Sequence, residues 1–299
     1  MAFWQLTLPI SPETSDALTN FLWEQGALGV VEEEAPPAPP GLRAFFADTA
    51  SSTGLLRALR AYQSSLRTLG FEVAPVEPEI APLHDVAWAS AWQQSFPPLE
   101  VGERLLIVPP WEARDHGIPG ARVQVIIEPG RAFGTGHHGS TEGCLRLLED
   151  TLRSTATRAR ALDVGAGTGI LAIAAVKLGI PAVLALDVDP DAIAAARLNA
   201  ERNGCADRIT LEMHGPEALW EPTPFGLVLA NLLTHTHLAL LPHYARLTAP
   251  GGALVLGGIL VDEAPRLVDA LEPAGFALTG RVVIEGWASL RCRRSSGPP

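Results

Sequence analysis

A glycine-rich segment carries the clearest chemical signal in this 299-residue sequence. Asp163 is followed by Gly165, Gly167 and Gly169, between an apolar run and a helix-like run. Glycines at a strand-to-helix turn permit a tight bend and let a ligand approach the backbone closely. The dinucleotide fingerprint needs glycine at the first, third and sixth places, but Ile170 stands at the sixth. The segment therefore predicts a cofactor site, and a nicotinamide-dependent dehydrogenase is disfavoured.

Two further polar residues stand at the ends of predicted strands. Asp187 follows Gly165 by 22 residues and ends the strand 183–188. An acid at that place accepts both ribose hydroxyls of a bound nucleoside, whereas Asp189 is predicted to cap the next helix. Asn231 ends an apolar strand at the edge where such sheets bind ligands. Its carbonyl groups can accept hydrogen bonds from an incoming amine, and the alternative is that it merely begins a loop.

The segment 128–141, EPGRAFGTGHHGST, combines glycines, an aromatic residue and two histidines before a helix. A mobile loop that closes over a cofactor explains the glycines. His137 and His138 suggest a metal, but no acidic or cysteine partner has ligand spacing, so we expect none. His235 and His237 follow Asn231 and either line the same mouth or face solvent at a helix start.

Composition limits the partners. The formal charge of −11 disfavours a broad phosphate-binding face and favours cationic, lysine-rich partners. The three cysteines form no CxxC pair, which predicts a chain of the reducing cytoplasm without disulfides or zinc. Neither a signal peptide nor a membrane-spanning run is recognisable. We therefore expect no membrane association and no direct nucleic-acid binding.

The elements that position these residues fall into two predicted domains. Residues 1–76 give the order β-α-β-β-α-β, with the last strand at Phe71–Val76, which is the order of ferredoxin-like domains. Residues 77–99 are a predicted linker around one short helix. In it Trp88 and Trp92 share a face, and packing on a domain surface is favoured over a substrate role.

From residue 100 onward, helices and strands alternate, which predicts a parallel sheet covered on both faces. The chain then closes with 276–284, a Gly-containing turn and 287–293, which predict an antiparallel hairpin. The expected fold class is thus α/β, with residues 100–294 as the catalytic domain. Residues 295–299 are a predicted disordered tail.

Several segments together are similar to those of one known family. DxGxGxG at 163–169 resembles motif I of class I methyltransferases. A longer series of segments resembles bacterial ribosomal protein L11 methyltransferases. In chain order these segments are EPGRAFGTGHHGST, LDVGAGTGILAIAAVKLG, ALDVDPDAI, LVLANLL and APGGALVLGGIL. The similarity extends to DVAWASAWQQSFPPL in the linker and EGWASL near the end.

The resemblance implies a small substrate-recognition domain, a linker and a class I catalytic domain that uses S-adenosyl-L-methionine. It implies methylation of lysine side chains and of the N-terminal α-amine of large-subunit ribosomal protein L11. It places the cofactor against residues of the motifs, with Phe133 and the Gly134-Thr135-Gly136 turn in the adjacent loop. The cofactor residues carried over are Thr141, Gly165, Asp187 and Asn231, to which the glycine-rich motif adds Asp163 and Gly167.

Other functions stay open at this point. A lysine methyltransferase of another protein fits the same motifs, because residues 1–76 match the family by pattern more than by motif. A nucleic-acid amino-methyltransferase is disfavoured, since Leu232 and Leu233 replace its Pro-Pro-aromatic signature. A non-catalytic cofactor-binding module is disfavoured by the complete motif set. We expect catalysis by Asn231 positioning a neutral amine, and we assign no general base; His137 and His138 are only candidates.

Overall fold

The structure is a computed structural model of the chain. It describes residues 3–27, 29–33, 41–47, 49–68, 70–74, 77–83, 96–114, 122–129, 134, 136, 138–154, 160–220 and 223–296. The predictions for Trp88, Trp92, Phe133, Thr135 and His137 lie outside these residues. The chain divides into two compact units, residues 1–96 and 97–299.

The first unit contains one four-stranded sheet and two helices. The strands lie in the order β2-β3-β1-β4, and every neighbouring pair is antiparallel. Alternation in β1 buries Trp4, Leu6 and Leu8, which pack in one core with residues of both helices. The elements are β1 (Phe3–Pro9), α1 (Ser15–Glu24), β2 (Gly29–Glu33), β3 (Gly41–Ala47), α2 (Ser52–Thr68) and β4 (Glu79–Leu83).

The predicted position of the fourth strand is wrong. The strand is Glu79–Leu83, and residues 71–74 form no strand. Pro78 and Pro82 led the prediction away from this segment, because proline interrupts a central strand. However, β4 is an edge strand paired only with β1, where proline is tolerated. The sheet of the first unit therefore extends to Leu83.

The second unit is built on a seven-stranded sheet in the order β10-β9-β8-β11-β12-β14-β13. The five strands from β10 to β12 are parallel, and β13 and β14 close the sheet as an antiparallel hairpin. The predicted parallel sheet with a terminal hairpin is thus confirmed. Its strands are β8 (Ala161–Val164), β9 (Val183–Leu186), β10 (Ile209–Glu212), β11 (Phe225–Asn231), β12 (Thr248–Leu260), β13 (Phe276–Ile284) and β14 (Trp287–Arg294).

Helices cover both faces of this sheet. One apolar cluster joins the sheet to α3 and α4, and another joins it to α6 and α7. In α4 every residue from Ile170 to Val176 is buried, so the helix is enclosed on all sides. The helices are α3 (Gly139–Ser154), α4 (Ile170–Lys177), α5 (Pro190–Arg202), α6 (Thr234–Leu247) and α7 (Ala264–Leu271).

A separate three-stranded sheet precedes α3. It consists of β5 (Leu99–Val101), β6 (Leu105–Val108) and β7 (Val123–Ile126). The side chain of Asn203, the residue that follows α5, accepts from Ile126 N at 2.9 Å, which fixes the end of β7. The chain leaving this sheet is therefore held beside α5 as it approaches the glycine-rich turn.

The end of the chain differs slightly from the prediction. Ser295, predicted to begin a disordered tail, donates its backbone N–H to the Gly275 carbonyl at 2.9 Å. Residues 297–299 lie outside the described residues. Among the helices that the structure describes, none combines the length and apolar character needed to cross a membrane.

Candidate active site

The glycine-rich turn joins β8 to α4 at the carboxyl edge of the main sheet. Gly165, Gly167 and Gly169 all have positive φ, at 75°, 54° and 79°. A Cβ atom on Gly165 would lie 2.5 Å from Leu232 Cδ2. The backbone conformation therefore disfavours any residue other than glycine at position 165, and a side chain there would also displace Leu232. The tight turn predicted here is confirmed.

Asp187 lies next to this turn. Its Oδ2 accepts from Gly167 N at 2.9 Å and its Oδ1 accepts from Asp189 N at 3.0 Å. Each carboxylate oxygen still has acceptor capacity for a second hydrogen bond, because an ionised carboxyl group has about four lone-pair sites. Asp189 caps α5 by accepting from Asp191 N at 2.9 Å, so the predicted capping role of Asp189 is confirmed.

Asp163 lies beneath the turn and is buried. Its Oδ2 accepts from Ala172 N at 3.1 Å, which ties β8 to α4. Its Oδ1 is also buried and has no hydrogen-bond partner among the described residues. Burial raises the pKa of this carboxyl group to about 7, the Ala172 hydrogen bond opposes that rise, and the nearby Asp187 charge adds to it. A cationic ligand beside this carboxyl group would favour its ionised form.

Asn231 ends β11 and faces the start of α3. Its Nδ2 donates to Thr141 Oγ1 at 3.2 Å, and the Thr141 side chain is fully buried. Its Oδ1 is buried without a partner among the described residues. The hydrogen bond to Thr141 holds the amide so that its carbonyl oxygen remains a free acceptor. Thr141 and Asn231, both carried over from the resemblance as cofactor residues, are thus in contact although they are 90 positions apart.

Two glycines of β12 make room for this amide. A Cβ atom on Gly257 would lie 2.9 Å from Asn231 Oδ1 and would also collide with Cys144 Sγ. A Cβ atom on Gly258 would lie 2.5 Å from the Leu232 carbonyl oxygen. The Asn231 side chain therefore occupies space that exists only because residues 257 and 258 lack side chains.

The loop before α3 contacts the glycine-rich turn. The Gly134 carbonyl accepts from Thr168 Oγ1 at 2.6 Å, and Gly134 and Gly136 have φ values of 103° and 95°. His138 Nδ1 lies 2.8 Å from Ser140 Oγ, and the His138 ring tilts against Trp287 of the terminal hairpin. The described part of the predicted loop thus lies beside the cofactor motif.

The two histidines after Asn231 differ in environment. His235 is exposed, whereas His237 is fully buried. Burial lowers the pKa of His237 to about 4, and carbonyl groups of Gly257 and Leu232 oppose that shift. His237 therefore neither lines the mouth nor faces solvent, the two alternatives considered from sequence. Within the described residues, no group of three or more His, Cys, Asp or Glu side chains is placed to hold a metal ion.

Sequence reasoning missed three residues of this edge. Val188 lies two residues beyond the end of β9 and Met213 directly follows β10, and their apolar side chains are 72% and 61% exposed. Asn199 of α5 is buried and bridges the two loops, since it accepts from Glu128 N at 3.1 Å and donates to the Thr168 carbonyl at 3.0 Å. An apolar residue just beyond the end of each of these two strands was a usable signal for the first two. Asn199 gave none, because its partners are more than 30 positions away.

The fold and the site together define a class I methyltransferase. The defining features are the sheet order, the glycine turn after β8, the acid after β9 and the amide at the end of β11. Such an enzyme takes its methyl group from S-adenosylmethionine. The residues present fit that cofactor: three positions of the turn carry no side chain, Asp187 offers two acceptors, and Asp163 has an unpartnered buried oxygen.

Comparison with known proteins identifies the family. The chain belongs to the ribosomal protein L11 methyltransferase (PrmA) family, whose sequence profile matches residues 2–295. It is 36% identical to the ribosomal protein L11 methyltransferase of Marinobacter nauticus over 310 residues, covering 99% of this chain and all of that protein. It is also 36% identical to the Escherichia fergusonii protein of the same name, with 99% and 100% coverage.

A solved structure gives the same result for the fold. The ribosomal protein L11 methylase of Lactobacillus delbrueckii subsp. bulgaricus superimposes with a TM-score of 0.59 at 31% sequence identity. The match covers 66% of this chain and 98% of that one. The expected family and the α/β methyltransferase fold are confirmed.

Proposed function

We propose that this enzyme methylates amine nitrogens of ribosomal protein L11, at lysine side chains and at the N-terminal α-amine. One observation carries the proposal: the Asn231 carbonyl oxygen is a buried, unpartnered acceptor held in place by Thr141 beside the cofactor turn. A buried acceptor without a donor is unfavourable by roughly 1–3 kcal/mol unless a ligand satisfies it. An amine N–H is such a donor. The names of the relatives support L11 as the protein that supplies it.

The carboxyl edge supports the following division of roles for the cofactor. Asp187 accepts the ribose hydroxyls, while Gly165 and Gly167 present no side chain between the turn's backbone and the cofactor. Val188 and Met213 offer apolar surface at the adjacent strand ends for the flat adenine ring. Phe133, Gly134 and Thr141 would border the methionine portion, and Asp163 would balance positive charge there.

Bound S-adenosylmethionine supplies an electrophilic methyl group. The attacking amine must be neutral, although lysine has an ordinary pKa of ~10.4 and an α-amine one of ~7.7–8.0. Desolvation at this buried edge lowers the pKa of either amine, which favours the reactive form. Asn231 Oδ1 then accepts an amine N–H and so aims the nitrogen lone pair at the methyl carbon. Much of the rate gain comes from this alignment.

His237 does not act as a general base in this scheme. Its Nε2 lies 2.7 Å from the Gly257 carbonyl, an acceptor, so that nitrogen carries a proton rather than a free lone pair. Deprotonation of the amine instead follows from its desolvation. Because each transfer leaves a methylated ammonium, loss of a proton to solvent must precede the next transfer at the same nitrogen.

The first unit is proposed to recognise the protein substrate. Its strand order β2-β3-β1-β4 with two helices supports a ferredoxin-like domain, extended to include β4. The net charge of −11 favours a basic protein partner over nucleic acid. The three described cysteines are free, which supports a place in the reducing cytoplasm.

The test is methyl transfer to purified L11 by the full chain and by Asn231 variants. Asn231→Ala should lower the single-turnover rate at least tenfold, with cofactor affinity by calorimetry changed much less. Asn231→Asp should retain the substrate cation but transfer slowly, with partial recovery at high pH, because its charge favours the ammonium form. Transfer at the wild-type rate by Asn231→Ala would refute the catalytic assignment. Label appearing in another lysate protein, or in RNA, would replace L11 as the substrate.

A further inference from the structure

The glycine pair that accommodates Asn231 forms an irregularity in the sheet. The pairing of β12 with β14 shifts register between Leu256 and Ile259, so Gly257 and Gly258 lie in a bulge. Gly258 adopts a φ of 73°. In the parallel pairing on the other side, Gly257 lies directly opposite Asn231. The backbone position of this bulge therefore determines where the Asn231 amide can rest.

His237 of α6 binds the bulge from the opposite side. Its Nε2 lies 2.7 Å from the Gly257 carbonyl oxygen, and its Nδ1 lies 3.1 Å from the Tyr244 hydroxyl. A carbonyl oxygen only accepts, so Nε2 carries the proton, Nδ1 accepts, and Tyr244 donates. The Gly257 carbonyl also accepts from Leu232 N at 3.1 Å. Both of its lone pairs are thus used, one by the residue after Asn231 and one by His237.

We propose that His237 is a positioning residue for methyl transfer, which holds the Gly257–Gly258 bulge and thereby orients the Asn231 carbonyl oxygen toward the amine. The inference rests on the role of Asn231 proposed above. Both ring nitrogens of His237 have partners, so one tautomer and one ring orientation are specified. An apolar residue would fill the same space but leave the direction of the Gly257 carbonyl set by Leu232 alone.

Three variants of His237 and one control variant separate a positioning role from simple packing. His237→Gln can place an amide N–H near the former Nε2, whereas the shorter side chain of His237→Asn cannot reach the Gly257 carbonyl. We expect His237→Asn and His237→Leu to slow single-turnover transfer to L11 at least tenfold, whereas His237→Gln should keep most of the wild-type rate. Cofactor affinity by calorimetry should stay within about threefold in all of them. His235→Gln, on the exposed face of the same helix, is the matched control and should behave as wild type.

A double variant tests the route of the effect. If His237 acts through Asn231, His237→Asn should cause little further loss in an Asn231→Ala background. The inference is overturned if the two losses multiply, if Gln and Asn slow transfer equally, or if His237→Asn transfers at the wild-type rate while Asn231→Ala is slow. The last result leaves the proposed function intact. Wild-type transfer by Asn231→Ala would instead refute the proposed function, and with it this inference.

Discussion

Asp187 offers the sharpest test of the cofactor site, because a second aspartate two positions away serves as its control. Asp187→Ala removes the carboxylate that accepts hydrogen bonds from Gly167 N and Asp189 N. The same carboxylate is the proposed acceptor of both ribose hydroxyls. Asp189→Ala removes only the cap of α5, where Asp189 accepts from Asp191 N. The two variants lose the same functional group at nearly the same place in the chain.

The expected size of the effect follows from the number of hydrogen bonds. A bond to a charged group contributes about 1.5–3 kcal/mol, so two ribose bonds contribute about 3 kcal/mol at the low end. Asp187 is half-buried, and solvent weakens bonds at such a site, so about half of that value is a safe minimum. Since about 1.4 kcal/mol corresponds to tenfold in affinity, Asp187→Ala should weaken cofactor binding at least tenfold.

Calorimetric titration with S-adenosylmethionine and thermal unfolding without it measure the two effects separately. Asp189→Ala should lose about 1 kcal/mol of stability, as expected for a removed helix cap, and keep its cofactor affinity within about threefold. Asp187→Ala should show the large loss of affinity with the fold retained. Equal affinities for wild type and Asp187→Ala, or a larger loss for Asp189→Ala, would place the ribose elsewhere and refute the reasoning.

Three further predictions concern other parts of the chain. Burial raises the pKa of Asp163 from 3.8 to about 7, so between these pH values the folded chain keeps a proton that the unfolded chain has released. The free energy of unfolding therefore falls as pH rises from about 4 to about 7, and melting curves of Asp163→Asn should show a flatter pH dependence in this window. Val188→Ala and Met213→Ala should each weaken cofactor binding about three- to tenfold in the same titration, because each removes roughly 1 kcal/mol of apolar contact, and unchanged affinity would remove them from the adenine site. A chain beginning at residue 97 should still bind S-adenosylmethionine but lose methylation of L11, and full activity would exclude a recognition role for the first unit.

The features that sequence predicted correctly depend on near neighbours along the chain. Asp189 caps α5 through Asp191, two positions away, and the glycine turn needs positive φ at 165, 167 and 169. The terminal hairpin likewise follows from two strand-like segments joined by the Gly-containing turn at Glu285 and Gly286. In each case the residues that determine the structure are the residues that form the pattern.

The features that sequence could not predict depend on distant partners. Proline argued against a strand at 79–83, and only the pairing of β4 at the sheet edge makes it acceptable. The space around Asn231 requires Gly257, and the orientation of that glycine involves His237, 20 positions earlier. A histidine at a helix start gives no sign of burial until the strand it packs against is known.

The enclosure of α4 has a consequence for the order in which the site forms. The helix that follows the glycine turn is buried from Ile170 to Val176, so its amides should exchange hydrogen with solvent only when the whole second unit unfolds. The strand before the turn, β8, is tied to this helix through the bond from Ala172 N to Asp163. In hydrogen-exchange experiments these amides should already be slow without cofactor, and slower still with it, because a ligand that binds only the folded state raises the free energy of unfolding. Strong protection before the cofactor is added would mean that the cofactor meets a turn already in its final shape.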